Sequence, residues 1–273
     1  MKIIVVGLPG KVASEITASL TREELHPVAV ASARHVGGSF PAARAGISVS
    51  LVGAGELSSS LFPTEDYVAL DFSPNAEQYL ELWATLKIPC VIGASALDPE
   101  IVRRTVGERG TLAVLAPNLA APIVAVQSIL RSAAREFPGV FEGFSWQCVE
   151  SHQAGKKDVS GTARALLPSF VELGFRSASV ENIQSIRTPE AQGALGVPEE
   201  FLQGHGWHRY EGSKDGVTIA LEHRTNGRAM YAEGAVRACR FASLQWKNAI
   251  RGRCFDMVDV LRGGAEGSAS PPR

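Results

Sequence analysis

Lys2-Ile3-Ile4-Val5-Val6-Gly7-Leu8-Pro9-Gly10-Lys11-Val12-Ala13 opens the chain and decides its fold. Residues 2–6 are a short apolar run rich in β-branched side chains, which predicts a strand buried in a parallel sheet. A glycine-bearing turn follows, and 14–20 reads as a helix. Strand, glycine turn and helix make up the phosphate-binding arrangement of dinucleotide sites. Gly7 permits a tight turn, Gly10 lets backbone approach a pyrophosphate, and the small Ala13 allows close packing of helix on strand. The spacing is G-x-x-G-x-x-A rather than G-x-G-x-x-G, so this stretch alone leaves an ordinary strand–helix turn open as well.

Working outward, apolar strands are predicted at 28–33, 47–52, 67–72, 89–92 and 112–115. Helices are predicted between several of them, at 76–86, 99–107 and 122–135. This alternation argues an α/β fold, a Rossmann-like doubly wound parallel sheet, and it favours the dinucleotide reading of Gly7, Leu8, Pro9, Gly10, Lys11 and Val12. The second strand runs out through Ala31-Ser32-Ala33-Arg34-His35 without the acid that binds the ribose of NAD. Ser32 and Arg34 suit a 2′-phosphate instead, which tilts the expected cofactor to NADPH with NADH still open; the plainer alternative is a solvated loop arginine. Gly93-Ala94-Ser95 and Ala116-Pro117-Asn118-Leu119 each follow a predicted strand. Ligands of such sheets bind beyond the carboxyl ends of the strands, so both segments are candidate nicotinamide contacts, unless they are simple turns.

Past about residue 138 the pattern changes. Alternating segments at 141–150, 206–210, 216–223 and 229–232 predict a second, α+β domain with a mixed or antiparallel sheet. Residues 234–246 and 255–261 read as helical and return to the first domain. The expected organisation is a dinucleotide-binding domain at 1–138 completed by 233–263, then a substrate-binding, catalytic and oligomerisation domain at 139–232. A Gly-, Ser- and Pro-rich tail at 264–273 is expected to be disordered.

The 273 residues carry a formal net charge of -1, with 45% hydrophobic and 20% charged residues. No global field points to nucleic acid or a membrane surface. Cys90, Cys148, Cys239 and Cys254 are far apart and form no C-x-x-C pair, so neither a disulfide frame nor a zinc site is expected, and no metal. No apolar run reaches the roughly 18 residues of a spanning helix. A start directly in a strand leaves no room for a signal peptide. A cytosolic protein is the expectation.

Chemistry concentrates in 150–163, E-S-H-Q-A-G-K-K-D-V-S-G-T-A. Residues 144–149 before it alternate like a strand, and 162–167 after it have helix-forming composition. His152 has the titration range of a general acid. Lys156 offers a cation, and Ser160, Gly161 and Thr162 open a helix whose free amides and dipole can receive an anion. Each has a plainer reading: a structural histidine, a solvated lysine pair with Lys157, an N-cap.

Together these residues resemble the dihydrodipicolinate reductase family, whose signature is E-x-H-H-x-x-K-x-D-x-P-S-G-T-A. Glu150, His152, Lys156, Asp158, Ser160, Gly161, Thr162 and Ala163 stand in matching order. V-I-G-A-S-A around Gly93, A-P-N-L at Asn118, Y-A-E-G-A-V-R at 231–237 and M-V-D-V-L at 257–261 extend the resemblance, which is nearest to the plant-type branch. It implies NAD(P)H-dependent reduction of 4-hydroxy-tetrahydrodipicolinate on the diaminopimelate route to lysine. By the same resemblance His152 is the acid, and Lys156 the cation beside the ring nitrogen or a carboxylate. Gln153, Ser160, Gly161 and Thr162 hold the substrate, and the enzyme is a homo-oligomer, dimer or tetramer. Gln153 stands where many bacterial members have a second histidine, the loop is one residue shorter before Ser160, and Gly93-Ala94-Ser95-Ala96 replaces G-T-T-G. Asp158 reads as structural.

Three rivals were weighed. Tyr210 and Lys214 give Y-x-x-x-K, which needs a helical face, whereas their segment reads as turn. A thiol-dependent dehydrogenase using Cys148 is disfavoured by its place inside a strand. A non-catalytic nucleotide-binding regulator on the same fold has no use for the His152, Lys156 and Ser-Gly-Thr set.

Overall fold

Buried β-branched residues at positions 3–6 build the centre of the first sheet. In a computed structural model, which describes residues 1–62, 66–94 and 97–263, Ile3, Ile4, Val5 and Val6 are fully buried. The tail at 264–273 and Ser95 lie outside the described residues. The chain divides into two units, 1–121 with 229 onward, and 122–228.

The first unit carries an eight-stranded sheet of β1 (Lys2–Leu8), β2 (Val28–Ala31), β3 (Ser39–Ala42), β4 (Ile47–Val52), β5 (Tyr67–Asp71), β6 (Cys90–Ile92), β7 (Leu112–Leu115) and β12 (Arg253–Asp256), in the order β12-β7-β6-β5-β1-β2-β4-β3. All pairs are parallel except β3 with β4. The chain winds outward in both directions from β1, which places a topological switch point between β1 and β5. The helices of this unit are α1 (Lys11–Ser19), α2 (Ala76–Thr85), α3 (Pro99–Arg109), α7 (Ala229–Lys247) and α8 (Met257–Gly263). Local rules set their ends. For α3, the Asp98 side chain accepts from the Glu100 amide, Pro99 occupies the first turn, and Gly110 closes the helix at φ 60°, as capping preferences require. Trp83 and Leu80 of α2 pack with Ile4, Val6 and Val102 in the core. Gly234 of α7 has no alternative: a Cβ there would stand 1.8 Å from the Leu119 carbonyl oxygen.

The second unit holds α4 (Ala121–Glu136, beginning at the boundary), β8 (Gln147–His152), α5 (Gly161–Glu172), β9 (Ile183–Ile186), α6 (Pro189–Ala194), β10 (His205–Lys214) and β11 (Val217–Asn226). The sheet order is β11-β10-β8-β9, with β8–β9 parallel and the other pairs antiparallel. Ala163, Leu166 and Phe170 of α5 cover one face against Trp146, Cys148, Phe175 and Tyr210.

Several expectations are corrected here. Residues 229–232 are the first turn of α7, because the small-residue run 232–242 buries one helical face against the sheet. Phe255 belongs to β12, not a helix, and pairs with Val114. β8 begins only at Gln147, after a run of turns over 141–143. Tyr210 to Lys214 lie within β10, and the turn falls at Asp215 and Gly216, both at positive φ; the pair still shares no helical face. β3 and β9 were not anticipated. β3 contains Pro41 and is tolerated because it is an edge strand, and the four residues of β9 carry too little alternation to register.

Candidate active site

The glycine turn behaves as its residue types demand. Gly7 sits at φ +101°, and a Cβ on it would press on Phe72 and Ser73 backbone at 3.1–3.2 Å. Gly10 caps α1 without any side chain to satisfy the first amides, so these remain directed at whatever lies before the helix. Gly7, Leu8, Pro9, Gly10, Ser32 and Arg34 line one cleft of about 290 Å³. Leu8 is buried and contributes backbone, whereas Ser32, Arg34 and Lys11 are exposed. Ser73, Asn75 and Tyr79 also line this cleft, at the carboxyl end of β5; sequence reading missed them. No Cβ fills the cradle and the helix start is open, so the residues fit a dinucleotide phosphate. Gly93 and Ala94 follow β6, and a Cβ on Gly93 would stand 2.2 Å from the Phe72 ring. Ala116, Pro117, Asn118 and Leu119 follow β7; the Asn118 side chain accepts from the Ala120 amide and shapes that turn. Among the described residues, Gly93, Ala94 and 116–119 do not line the same cleft as the glycine turn.

Beneath the turn, Asp71 ends β5 at 1% exposure. Its Oδ1 accepts the Ser73 amide at 2.7 Å, and its Oδ2 has no partner. Burial pushes its carboxyl up to about 6, against the hydrogen bonds from Ser73.

The second unit assembles its polar residues around Glu150. This carboxylate is fully buried on β8. Oε1 takes the Arg187 guanidinium and the Ser185 hydroxyl at 3.0 Å, and Oε2 takes the Ser160 amide at 3.0 Å. Burial favours protonation, but the hydrogen bonds from His208, Arg187 and Ser160 prevail and hold the group well below the usual carboxylate range. His152 lies two residues on, its Nε2 3.2 Å from Nε2 of His208. The Ser160 hydroxyl is 2.7 Å from the same His208 nitrogen and accepts from the Ala163 amide at 3.0 Å. Gln192 donates to the His152 carbonyl at 2.7 Å. Gly206, facing His152 across β8 and β10, leaves room for the ring: a Cβ would be 3.1 Å from Cε1. Burial, then the neighbouring His208, pushes His152 down to about 3. The near-neutral histidine expected from sequence is therefore a neutral imidazole in the free protein.

Of the predicted substrate residues, Ser160 is buried and its hydroxyl is engaged inside the unit. Gly161 and Thr162 sit at the open start of α5, exposed and half-buried. Gln153 and the half-buried Lys156 occupy the loop after β8, which Arg187 pins by donating to the Lys156 carbonyl at 3.0 Å. Lys157 and Asp158 are exposed. His208 and Arg187 were not foreseen. They lie 56 and 35 positions from His152 in the chain, and only the sheet register, with His208 opposite Glu150, brings them in. Cys148 is buried and its thiol is pushed up to about 12 by burial, which removes it as a nucleophile at neutral pH.

A dinucleotide-type cleft in one unit and an acid–base cluster in an α+β unit are the parts of a two-domain nicotinamide-dependent oxidoreductase. Comparison with known proteins gives the family. Residues 123–261 match the family model described as "Dihydrodipicolinate reductase, C-terminus". A probable 4-hydroxy-tetrahydrodipicolinate reductase of Oryza sativa subsp. japonica is 32% identical over 96% of this chain and 83% of its own length. A 4-hydroxy-tetrahydrodipicolinate reductase of Arabidopsis thaliana is 37% identical over 76% of this chain, which spans 61% of that relative. A dipicolinate-bound dihydrodipicolinate reductase from Paenisporosarcina sp. TG-14 shares the fold, with TM-score 0.59 and 19% identity over 94% of this chain and 97% of that one. The chain belongs to the dihydrodipicolinate reductase family.

The expected cytosolic location is corrected by the same comparison. The plant relatives are named chloroplastic, so the cytosolic expectation does not stand. Among the described residues no helix is long and apolar enough to cross a membrane.

Proposed function

We propose that this chain reduces 4-hydroxy-tetrahydrodipicolinate to tetrahydrodipicolinate at the expense of NAD(P)H, with release of water. The observation that carries this reading is the buried Glu150–His208–His152 cluster directly before the open N-terminus of α5, in a chain of this family. The nicotinamide, when bound, supplies the hydride. The protein's own residues supply the proton and the anion sites. Gly161 and Thr162 amides at the start of α5 receive one substrate carboxylate, and Lys156 and Gln153 from the preceding loop take the other end. His152 stays neutral until the dianionic substrate arrives; that charge raises its proton affinity. His152 then donates to the electron-rich ring left by hydride addition. Glu150 places a negative charge beside the His152 ring, which favours its protonated form once substrate is bound. Ser160 acts by fixing His208 and capping α5.

NADPH is the proposed cofactor, since Ser32 and Arg34 flank the cleft at the end of β2 where no acid stands. A homo-oligomer is part of the reading, supported by the exposed Phe137, Val140, Val217 and Ile219 of the second unit. The test is NADPH and NADH oxidation with freshly made substrate. Substrate-dependent oxidation, faster with NADPH, is expected, and His152→Ala should lower turnover roughly 10²–10⁴-fold with nucleotide binding intact. No oxidation above background sinks the activity, and a near-normal His152→Ala rate sinks the assignment of the acid.

A further inference from the structure

Three donor atoms converge in the second unit: Glu150 Oε2, His152 Nε2 and His208 Nε2, all within 4.8 Å of one another. Their separations are 3.2 Å between the imidazoles, 3.6 Å from Glu150 to His208 and 4.0 Å from Glu150 to His152. A point equidistant from all three lies roughly 2.1 Å from each, within the bond lengths of zinc to imidazole nitrogen and carboxylate oxygen. An ion there displaces the Ser160 hydroxyl from its 2.7 Å contact with His208 Nε2.

We propose that Glu150, His152 and His208 form a three-ligand site for a divalent transition cation, Zn²⁺ above all, whose occupation withdraws His152 from the reaction. Two imidazoles with one carboxylate suit zinc, and they are poor ligands for Mg²⁺ or Ca²⁺, which take oxygen sets. The surroundings orient Glu150 and the His152 backbone, while Nδ1 of His208 is buried without a hydrogen-bond partner among the described residues. Arg187 and Ser185 bind Oε1, which leaves Oε2 turned to the two rings. The Ser160 amide fixes Oε2, Gln192 anchors the His152 backbone, and Gly206 leaves the ring its space. His152 keeps 14% of its side chain exposed, against 3% for His208 and none for Glu150, so the ion enters from its side and retains an open position there. The ion lies between the two facing Nε2 atoms, so His152 Nε2 is no longer available to a substrate. The same arrangement that gathers an acid thus makes the enzyme sensitive to zinc. Binding stands on this geometry alone, while loss of turnover rests on the proposed role of His152.

The test begins on the full-length, metal-free protein without substrate. Co²⁺ is added as a spectroscopic probe, then Zn²⁺ to displace it. One ion per chain with visible bands of low-coordinate cobalt is expected, weakened roughly tenfold or more in His208→Gln. Long-range ¹H–¹⁵N spectra of the unmutated protein with Zn²⁺ should move the Nε2 resonances of His152 and His208 together, which settles the site even if the variant fails to fold. No binding, or binding that leaves both resonances in place, overturns the proposal. Turnover is then measured with Zn²⁺ and again after a chelator. Reversible loss is expected. An occupied site with undiminished turnover overturns the inhibitory part and, separately, the reading of His152 as the acid; absent binding with normal turnover leaves that reading standing.

Discussion

Asp71, at the end of β5, and Glu150, near the end of β8, are both almost wholly buried carboxylates beneath a ligand-facing turn, at 1% and 0% exposure. Burial alone drives both toward the neutral form. Asp71 has only Ser73 and a weak pull from the Trp83 indole to set against its burial, and rises to about 6. Glu150 takes Arg187 and Ser185 on Oε1 and the Ser160 amide on Oε2, with His208 beside it, and falls well below the ordinary range. The difference lies in what the neighbours donate, not in depth. It also separates their work: Asp71 shapes a backbone turn, while Glu150 holds a permanent charge beside two imidazoles.

Breaking this contrast should hurt most at Glu150. Glu150→Gln leaves Arg187 facing an uncharged amide, and a buried pair broken on one side costs about 3 kcal/mol or somewhat more. The folded pKa of Glu150 is depressed, so the stability it confers is present above the unfolded pKa and lost as pH falls. Urea unfolding should therefore show the variant's deficit at pH 7 and a narrowing gap in acid; an equal midpoint at pH 7 would mean that Arg187 finds solvent in the native state. At Asp71 the sign reverses. Its folded pKa is raised, so folding is favoured below the unfolded value and stability declines as pH climbs through about 6. Asp71→Asn keeps an acceptor for the Ser73 amide and removes that decline, with a gain on the order of 3 kcal/mol at pH 7–8 and little near pH 4. A pH-independent effect would show that the Asp71 carboxyl titrates alike in the folded and unfolded chain, and would remove the raised pKa. The smallest effect belongs to Ser185→Ala, which deletes one hydrogen bond to Glu150 and should cost about 1 kcal/mol, read as a small drop in thermal midpoint.

How much of this was legible in advance depends on how local the signal is. The glycine turn, the strands around it and the Ser160 cap of α5 follow from neighbours in the chain, so periodicity and capping rules expose them. Asp71 falls inside the strand expected at 67–72, and nothing in that stretch says that its carboxyl is sealed in. His208 carries no motif; it matters because six residues of β10, Gly206 to Glu211, pair in register with β8. Arg187 follows a four-residue strand that was itself missed. Family resemblance led to His152 and Lys156, but the depressed proton affinity of His152 comes from burial and a partner 56 residues away, which no spacing rule contains.

The placement of β12 bears on the order in which the molecule is made. The first unit ends its sheet with a strand from residues 253–256 and takes α7 from 229–247. A ribosome emits all of 122–228 before either piece exists. Until then β7 is an open edge, able to pair with any passing strand, and the face that α7 will cover is bare. The second unit can fold as it emerges; the first, though earlier in the message, must wait to finish last.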